Sequence, residues 1–453
     1  MNKMAEKPVG KLIWQMGLPM IASMVLQAVY NVVDTAFVVN MGEGGLDGNL
    51  ALTFAFPVQL LIIALGVGTG VGINVLLSKS LGQGDEDKVA KVVGNGVFLA
   101  VVIYAVFLLF GVFGARAFVA MQAKGNAVAE EMGTQYLSIC CVCSFGAVGF
   151  TVYERFLQAS GKTGLSTVAQ IAGALTNIVL DYVFIYPLKM GVAGAAWATV
   201  IGQVVSLLAA MAFHYTRNKE VASRLADVKP NGKVVCEIYS VGFVAAVMQG
   251  LLSVMMLVVN LVLANAPQNA ELLVGSFGIY YKIQQFALFA CFGLSNTLIS
   301  VVAFNYGAKN GTRVVSSVKW GLVDAVAVAA VVTCLFQIFA KPLASAFNVG
   351  GGSADLSETC VRAVRVATIG YVFMGFSVAA QGVLQAFGYA VFPLVISALR
   401  LVVFIAPLAY LFSRAEDATQ AFWWTFPLSE ALTAVFSAVF LLSAYRKKIK
   451  PLL

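Results

Sequence analysis

Long apolar stretches separated by short polar breaks dominate this sequence. About twelve of them reach 20 residues or more, enough to cross about 30 Å of hydrocarbon as α-helices. They lie near residues 12–39, 51–78, 92–120, 133–158, 165–187, 191–215, 235–264, 272–304, 314–340, 360–387, 391–412 and 420–445. Because only 11% of the residues are charged, the chain cannot cover a water-facing surface. We therefore expect an all-α integral membrane protein, and not a soluble enzyme or a nucleic-acid-binding domain.

The loop charges predict the orientation of these spans. An even number of spans places both termini on one side of the membrane. The loops on that side carry 20 of the 29 Lys and Arg residues, and the opposite loops carry seven. By the positive-inside rule, both termini are predicted to be cytoplasmic. The net charge of +8 then reflects basic cytoplasmic loops and does not indicate a nucleic-acid partner.

The two halves of the sequence resemble each other weakly. The pattern LQA-x-G at residues 157–161 returns at residues 384–388, a shift of 227 (384 minus 157). Two lobes of six helices each are therefore predicted, an N-lobe at 1–215 and a C-lobe at 235–453, joined by a cytoplasmic linker at 216–234. Six spans per half keep the halves in the same orientation, so a pseudo-two-fold axis should run along the membrane normal. Parallel repeats of this kind are typical of transporters that bind substrate between the halves.

Ionisable and polar residues inside predicted spans mark a candidate cation-coupling site. Asp34 lies deep in span one, Asn177 and Asp181 are four residues apart on span five, and Thr199 lies in span six. Oxygen ligands of this kind suit a hard cation such as Na⁺, and two neighbouring carboxylates also retain a proton because they resist ionising together. The repeat-equivalent residues are all apolar: Val259, Phe404, Leu408 and Phe426. The alternative interpretation is a set of separate helix-packing hydrogen bonds.

The second half has its own charges at membrane depth. Arg400 and Glu430 lie on neighbouring spans, where they could form a buried ion pair or contribute to substrate binding. Lys282 could face a cavity or extend outward to the interface. Met and aromatic side chains can repack around differently shaped lipophilic cations, so they are candidates for a substrate cavity, although each could be an ordinary core residue. The candidate cavity residues are Gln27, Tyr30, Met248, Met255, Met256, Tyr280, Lys282 and Phe286.

Other patterns carry little functional information. The crowded Cys140, Cys141 and Cys143 are interpreted as small hydrophobic residues, and the spacing of the seven cysteines does not suggest disulfides. The glycine run at residues 66–72 has helix-packing spacing and is followed by no Walker lysine. We predict neither a cofactor nor catalytic residues. An ion gradient, or a partner on another chain, would supply the energy for transport.

Taken together, these motifs resemble the MATE (multidrug and toxic compound extrusion) transporters. The resemblance is carried by YNVVDT at 30–35, LQASG at 157–161 and NIVLD at 177–181, with YK at 281–282 and SALRL at 397–401 similar to the DinF-like, MepA-type branch. It covers nearly the whole chain. It implies a bacterial inner-membrane antiporter that acts as a monomer and exports organic cations in exchange for H⁺ or Na⁺. It also implies that Asp34, Asn177, Asp181 and Thr199 form the N-lobe cation site.

The sequence departs from the NorM-like pattern, because span seven has no acidic residue between positions 241 and 264. A C-lobe Na⁺ site of that kind is therefore not expected. Two alternatives to multidrug export remain at this stage. A lipid-linked oligosaccharide flippase should have a more basic cavity than Lys282 and Arg400 provide. A non-transporting membrane scaffold would not need isolated carboxylates inside the membrane.

Overall fold

A computed structural model describes residues 3–41, 45–123, 125–221, 228–347 and 354–453. The chain is 89% helical, and the described residues contain no β-strand. Eleven described helices are long and apolar enough to cross a membrane, and the count reaches twelve if a pair of helices bent by 42° forms one span. The prediction of an all-α membrane protein with about twelve spanning helices is confirmed.

The first half of the chain contains helices α1 to α9. Their bounds are α1 Lys3–Glu6, α2 Val9–Val39, α3 Gly45–Gln83, α4 Glu86–Phe113, α5 Ala115–Ala123, α6 Ala127–Val142, α7 Phe145–Ala159, α8 Thr163–Ile185 and α9 Gly191–Arg217. Helices α6 and α7 are the bent pair, and the bend lies between Val142 and Phe145.

The second half contains helices α10 to α19. Their bounds are α10 Gly232–Ala264, α11 Ala270–Gly307, α12 Gly311–Ile338, α13 Ala340–Phe347, α14 Ala354–Ala367, α15 Tyr371–Ala386, α16 Val391–Ala398, α17 Ile405–Phe412, α18 Ala418–Ala421 and α19 Thr425–Ala444. Short irregular turns connect some of these helices, and two such turns follow α19. These are 3₁₀ turns at Thr368–Gly370, Phe422–Trp424 and Lys450–Leu452, and π-helical turns at Leu399–Val403 and Tyr445–Ile449.

The repeated LQA-x-G pattern is a helix-ending signal in both halves. Gly161 follows α7 and Gly388 follows α15, with φ angles of 77° and 78°. The residue after each glycine donates to a carbonyl five residues earlier, Lys162 to Leu157 at 2.8 Å and Tyr389 to Leu384 at 3.1 Å. A left-handed residue that closes the last turn in this way is preferably glycine. The repeat therefore preserves a backbone requirement.

Two compact units divide the chain. The N-unit is Val25–Ala246, and the C-unit combines Lys3–Met24 with Val247–Leu453. Helices α2 and α10 each contribute residues to both units. The predicted lobe boundaries at residues 215 and 235 stay a prediction, and part of the linker between them, residues 222–227, lies outside the described residues.

Close backbone packing through glycine holds the N-unit helices together. A Cβ atom on Gly173 of α8 would lie 2.4 Å from the Gly202 carbonyl oxygen on α9. On α3, a Cβ atom on Gly68 would lie 2.6 Å from the carbonyl oxygen of Gly242. Small residues permit this approach, and van der Waals packing is a main source of helix association in lipid. The glycine run at 66–72 thus has the packing role that its spacing predicts.

Candidate functional site

Helices α8 and α9 bring together three of the predicted coupling residues. Asn177 and Asp181 lie one turn apart on α8, with 4% and 0% of their surface exposed. Asn177 donates from Nδ2 to Oγ1 of Thr199 on α9, over 3.5 Å. A Cβ atom on Gly202 would lie 2.9 Å from the Asn177 Cβ, so the missing side chain of this glycine lets the two helices meet here.

Asp34 on α2 completes the set. Its carboxylate is close enough to that of Asp181 for the two charges to interact. Four buried oxygens of this site have no hydrogen-bond partner among the described residues: Oδ1 of Asp34, Oδ1 of Asn177, and Oδ1 and Oδ2 of Asp181. Each unpaired atom is an acceptor, and buried acceptors are costly unless something satisfies them. Their chemistry therefore suits a proton or a hard monovalent cation.

Two further polar residues beside this site were not predicted from the sequence. Gln59 on α3 donates from Nε2 to the Tyr136 hydroxyl on α6, over 3.0 Å, and also approaches Sγ of Cys140 at 3.8 Å. Tyr136 lies within the electrostatic influence of Asp34 and Asp181. The detectable signal was Gln59 itself, since an amide in the middle of an apolar span is costly without a partner.

The predicted cavity residues of α2 lie on the same unit as the carboxylates. Tyr30 is partly buried and interacts electrostatically with Asp34, one turn further along the helix. Gln27 is also partly buried. The N-unit therefore combines acidic, amide, hydroxyl and aromatic groups in one region, which we call the acidic site: Tyr30, Asp34, Gln59, Tyr136, Asn177, Asp181 and Thr199.

The C-unit contains a buried pair of opposite charges. Arg400 donates from Nε to Oε1 of Glu430 over 2.7 Å, and these side chains are 4% and 8% exposed. Arg400 lies in the π-helical turn between α16 and α17, and its carbonyl oxygen accepts a bond from the Ser429 hydroxyl at 3.1 Å. Ser429, the neighbour of Glu430 in the sequence, therefore bonds to the backbone of the turn that carries Arg400. The pair is thus tied to both backbone segments.

A small cavity adjoins this ion pair. Its volume is about 10 Å³, room for about one water molecule. Its lining residues are Leu252, Met255, Tyr281, Gln284, Gln285, Leu288, Arg400, Leu401, Ile405, Phe426 and Glu430. Oε2 of Glu430 and Oε1 of Gln284 are buried without a hydrogen-bond partner among the described residues.

The other predicted cavity residues of the C-unit have varied surroundings. Met255 lines the small cavity, and Tyr280 is fully buried against Phe426, with ring centroids 4.9 Å apart. Met248 accepts a weak bond from Gln385 at 3.6 Å. Lys282 is exposed, whereas Met256 and Phe286 are partly buried. Their part in binding substrate stays a prediction.

A conventional site for a transition metal is absent from the described residues, where no group of three or more His, Cys, Asp or Glu side chains comes together. The acidic site has only two such residues, and its remaining oxygens belong to an amide and hydroxyl groups. That composition fits an exchangeable ion better than a tightly held metal.

Comparison with known proteins agrees with this architecture. The family model MatE matches residues 19–183 and again residues 245–411, with starting points 226 residues apart (245 minus 19). Multidrug export protein MepA of Staphylococcus aureus (strain bovine RF122 / ET3-1) is 24% identical over 438 residues, covering 95% of this chain and 93% of that protein. MepA of Staphylococcus saprophyticus is 23% identical over 377 residues, covering 82% of this chain and 81% of that protein.

Solved structures show the same fold. One, an outward-facing multidrug resistance MATE family transporter of the MOP superfamily, has a TM-score of 0.92 and 25% identity, and the match covers 100% of this chain and 98% of that one. Another, a MOP superfamily transporter from Pyrococcus furiosus, has a TM-score of 0.88 and 23% identity, over 98% of each chain. The double family match, the two-lobe helical fold and the coverage of the whole chain show that this protein belongs to the MatE family of multi-pass membrane transporters.

Proposed function

We propose that this protein is an antiporter that exports organic, mostly cationic lipophilic compounds in exchange for H⁺ or Na⁺. The coupling ion binds at Asp34, Asn177, Asp181 and Thr199. The observation that carries this proposal is the group of four buried, unpaired acceptor oxygens in the acidic site. Two interacting carboxylates with no basic partner among the described residues are costly as anions, so occupancy by a cation or proton stabilises them.

Coupling then follows from competition between two conformational states. Binding of the inward-moving ion at the acidic site removes the repulsion between Asp34 and Asp181 and favours one packing of the N-unit helices. The exported compound favours the other packing. Each ligand can shift the equilibrium only by its difference in affinity for the two states, so the ion and the substrate need not touch.

The family and the loop charges support a proposal for the membrane location and the orientation of the protein. We propose a bacterial inner-membrane protein that acts as a monomer, with both termini in the cytoplasm, as the positive-inside rule predicts. Export would therefore move compounds away from the side on which the chain ends lie. The names of the staphylococcal relatives, which describe multidrug export proteins, support this substrate class.

The first experiment measures ion-driven efflux of ethidium from everted vesicles. Asp34→Asn and Asp181→Asn should lose gradient-driven transport while keeping normal expression. Asp324→Asn is a matched control, because Asp324 is a buried carboxylate of the C-unit that bonds to Trp14. Full transport by either acidic-site variant, or equal loss in the control, would overturn the assignment.

The second experiment measures substrate binding to purified protein while Na⁺ is raised or pH is lowered. Either ion should weaken binding to the wild type, and the effect should vanish in Asp34→Asn. Affinity that is indifferent to both ions would contradict the coupling scheme. If lipophilic cations are neither bound nor exported while anionic lipid-linked sugars are moved, the protein is a flippase instead.

A further inference from the structure

The membrane-surface end of the C-unit carries a concentration of unpaired positive charge. Nine basic residues lie at the ends of α2, α11, α12 and α19, on the side of the chain termini. We call them the basic face: Lys7, Lys11, Lys309, Arg313, Lys319, Arg446, Lys447, Lys448 and Lys450. None of them belongs to an ion pair among the described residues. The acidic residues closest to them in these segments are Glu6 and, deeper on α12 and buried, Asp324.

Hydrogen bonds and close backbone packing hold these segments together. Arg313 donates from Nη2 to the carbonyl oxygens of Met4 and Lys7, at 2.8 and 2.9 Å. A Cβ atom on Gly311 would lie 2.5 Å from the Leu452 carbonyl oxygen, so the chain end packs on the start of α12. Both chain ends and the α11–α12 turn therefore form one connected surface, and the charges are held together by ordered backbone.

The corresponding surface of the N-unit is different. The α3–α4 turn contains Asp85, Glu86 and Asp87, where the α11–α12 turn contains Lys309 and Asn310. Lys88 forms an ion pair with Glu237 at 2.6 Å, and Lys91 pairs with Asp87. Arg217, Lys219 and Lys233 of the N-unit also belong to no ion pair among the described residues, but Asp85, Glu86, Asp87, Glu220 and Glu237 lie among the N-unit's basic residues and lower its net charge. Orientation in the membrane requires basic loops on both units, but it does not require one of them to carry so few acidic residues. The asymmetry indicates a ligand for the basic face.

Exposed aromatic residues beside the basic face indicate that the ligand lies at the membrane–water interface. Trp14, Trp320 and Tyr445 are 44%, 48% and 40% exposed and lie within one or two turns of Lys11, Lys319 and Arg446. Trp320 also packs against Gly10, with 3.5 Å between the indole and a Cβ atom placed on that glycine. Exposed Trp and Tyr beside basic residues are typical of the membrane interface. A soluble polyanion would not need these aromatic neighbours.

We propose that the basic face of the C-unit binds the headgroups of anionic phospholipids, independently of the export activity. Phosphate groups would pair with the exposed ammonium and guanidinium groups, and the N-terminus of α12, capped by Asn310, adds a favourable helix dipole. The acyl chains would lie along the apolar helix surfaces beside Trp14 and Trp320. Each basic residue near an anionic membrane surface contributes about fivefold to the partition of such a lipid.

The test measures lipid retention by the full-length protein in nanodiscs that contain phosphatidylcholine with phosphatidylglycerol or cardiolipin. The variant Arg446→Gln/Lys447→Gln/Lys450→Gln removes three exposed charges and no described hydrogen bond of their side chains. Its retention of anionic lipid, measured by native mass spectrometry, should fall by about tenfold or more, with phosphatidylcholine unchanged. The matched control is Lys88→Gln/Lys91→Gln, which should change retention by less than about twofold, since those charges are already paired.

Three outcomes would overturn the proposal. Retention could be unchanged in the triple variant, or it could fall equally in the control. Thirdly, inorganic phosphate or a single-stranded oligonucleotide could compete with the lipid as strongly as vesicles of phosphatidylglycerol do, which would assign the face to a soluble anion. A thermal melt of each variant confirms that lost retention does not reflect unfolding.

Discussion

Each unit buries one pair of interacting ionisable residues at its candidate site, and the two pairs differ in sign. In the N-unit, Asp34 and Asp181 have the same sign and leave three carboxylate oxygens unpaired. In the C-unit, Arg400 and Glu430 have opposite signs and meet at 2.7 Å. A like-charged pair needs an added cation to be neutral, whereas an ion pair is already neutral. Burial alone therefore does not mark a coupling site, and neither does an unpaired oxygen, since Oε2 of Glu430 is also unpaired. The distinguishing feature is two neighbouring charges of the same sign.

The largest expected effect separates the two sites by transport. Asp34→Asn or Asp181→Asn should remove the coupling between ion and substrate, which is about 5- to 150-fold in typical coupled systems. The double variant Arg400→Met/Glu430→Leu should keep that coupling, because it removes a neutral pair. Substrate affinity measured with and without Na⁺, and at two pH values, provides the coupling factor. If Asp181→Asn kept the coupling between ion and substrate, or if the double variant lost it, the assignment of the coupling site to the N-unit would be wrong.

The second effect is on the stability of the C-unit. Arg400→Met alone leaves Glu430 buried without its partner and should cost about 3–5 kcal/mol in the free energy of unfolding. Adding Glu430→Leu should recover most of that loss, since apolar replacements of a buried pair are often neutral or stabilising. Melting temperatures in detergent, compared across the wild type and both variants, measure this. A double variant as unstable as the single one would show that the pair has a further role.

The third effect concerns the helix contact beneath the acidic site. Gly202→Ala places a methyl group 2.9 Å from the Asn177 Cβ and 2.7 Å from the Gly173 carbonyl oxygen, so α8 and α9 must move apart. We expect a loss of about 1–3 kcal/mol in the free energy of unfolding, together with weaker ion coupling. Gly164→Ala, on the partner helix α8 and with no atom within 4 Å of the added Cβ, is the control and should be neutral or slightly stabilising. Equal effects at both positions would exclude the packing explanation.

The smallest effect tests the residues that adjoin the carboxylates. Tyr136→Phe removes the hydroxyl that accepts the bond from Gln59 and should cost about 1 kcal/mol in the free energy of unfolding. It should also shift the ion dependence of substrate binding, because the hydroxyl dipole lies within the electrostatic influence of Asp34. Tyr104→Phe on α4 is a suitable control, as its ring packs edge-on against Phe145 outside the acidic site. An unchanged ion response in Tyr136→Phe would place this residue in a purely structural role.

Local signals in the sequence predicted most of the architecture. Span positions follow from runs of apolar residues, and the family model confirms two related segments 226 residues apart. The spacing of Asn177 and Asp181 placed both on one face of α8, because residues four apart lie on the same side of a helix. The bend at residues 143–144 and the π-helical turn at Leu399–Val403 were not predicted, because neither contains proline or a distinctive motif.

Contacts between distant helices could not be derived in the same way. Gln59 and Tyr136 are 77 residues apart, and no sequence pattern near either residue predicts that the two side chains form a hydrogen bond. Cys140 was interpreted as a small hydrophobic residue; the structure buries it in an apolar core and also places its sulfur near Gln59. Which side chains of two helices come into contact depends on how each helix is rotated about its axis. That rotation depends on all neighbouring helices at once.

The amino-acid sequence was enough to predict that the chain crosses the membrane about twelve times, that its halves are related and which carboxylates are candidates for coupling. These follow from hydropathy, spacing and the cost of charge in lipid, which act residue by residue. The folded structure was needed to show that the acidic-site oxygens are unpaired, that Arg400 bonds to Glu430, and that both chain ends join α12 in one basic face. Hydrogen bonds and charge pairs depend on distances of about 3 Å between segments, and only the packing of the folded helices fixes those distances.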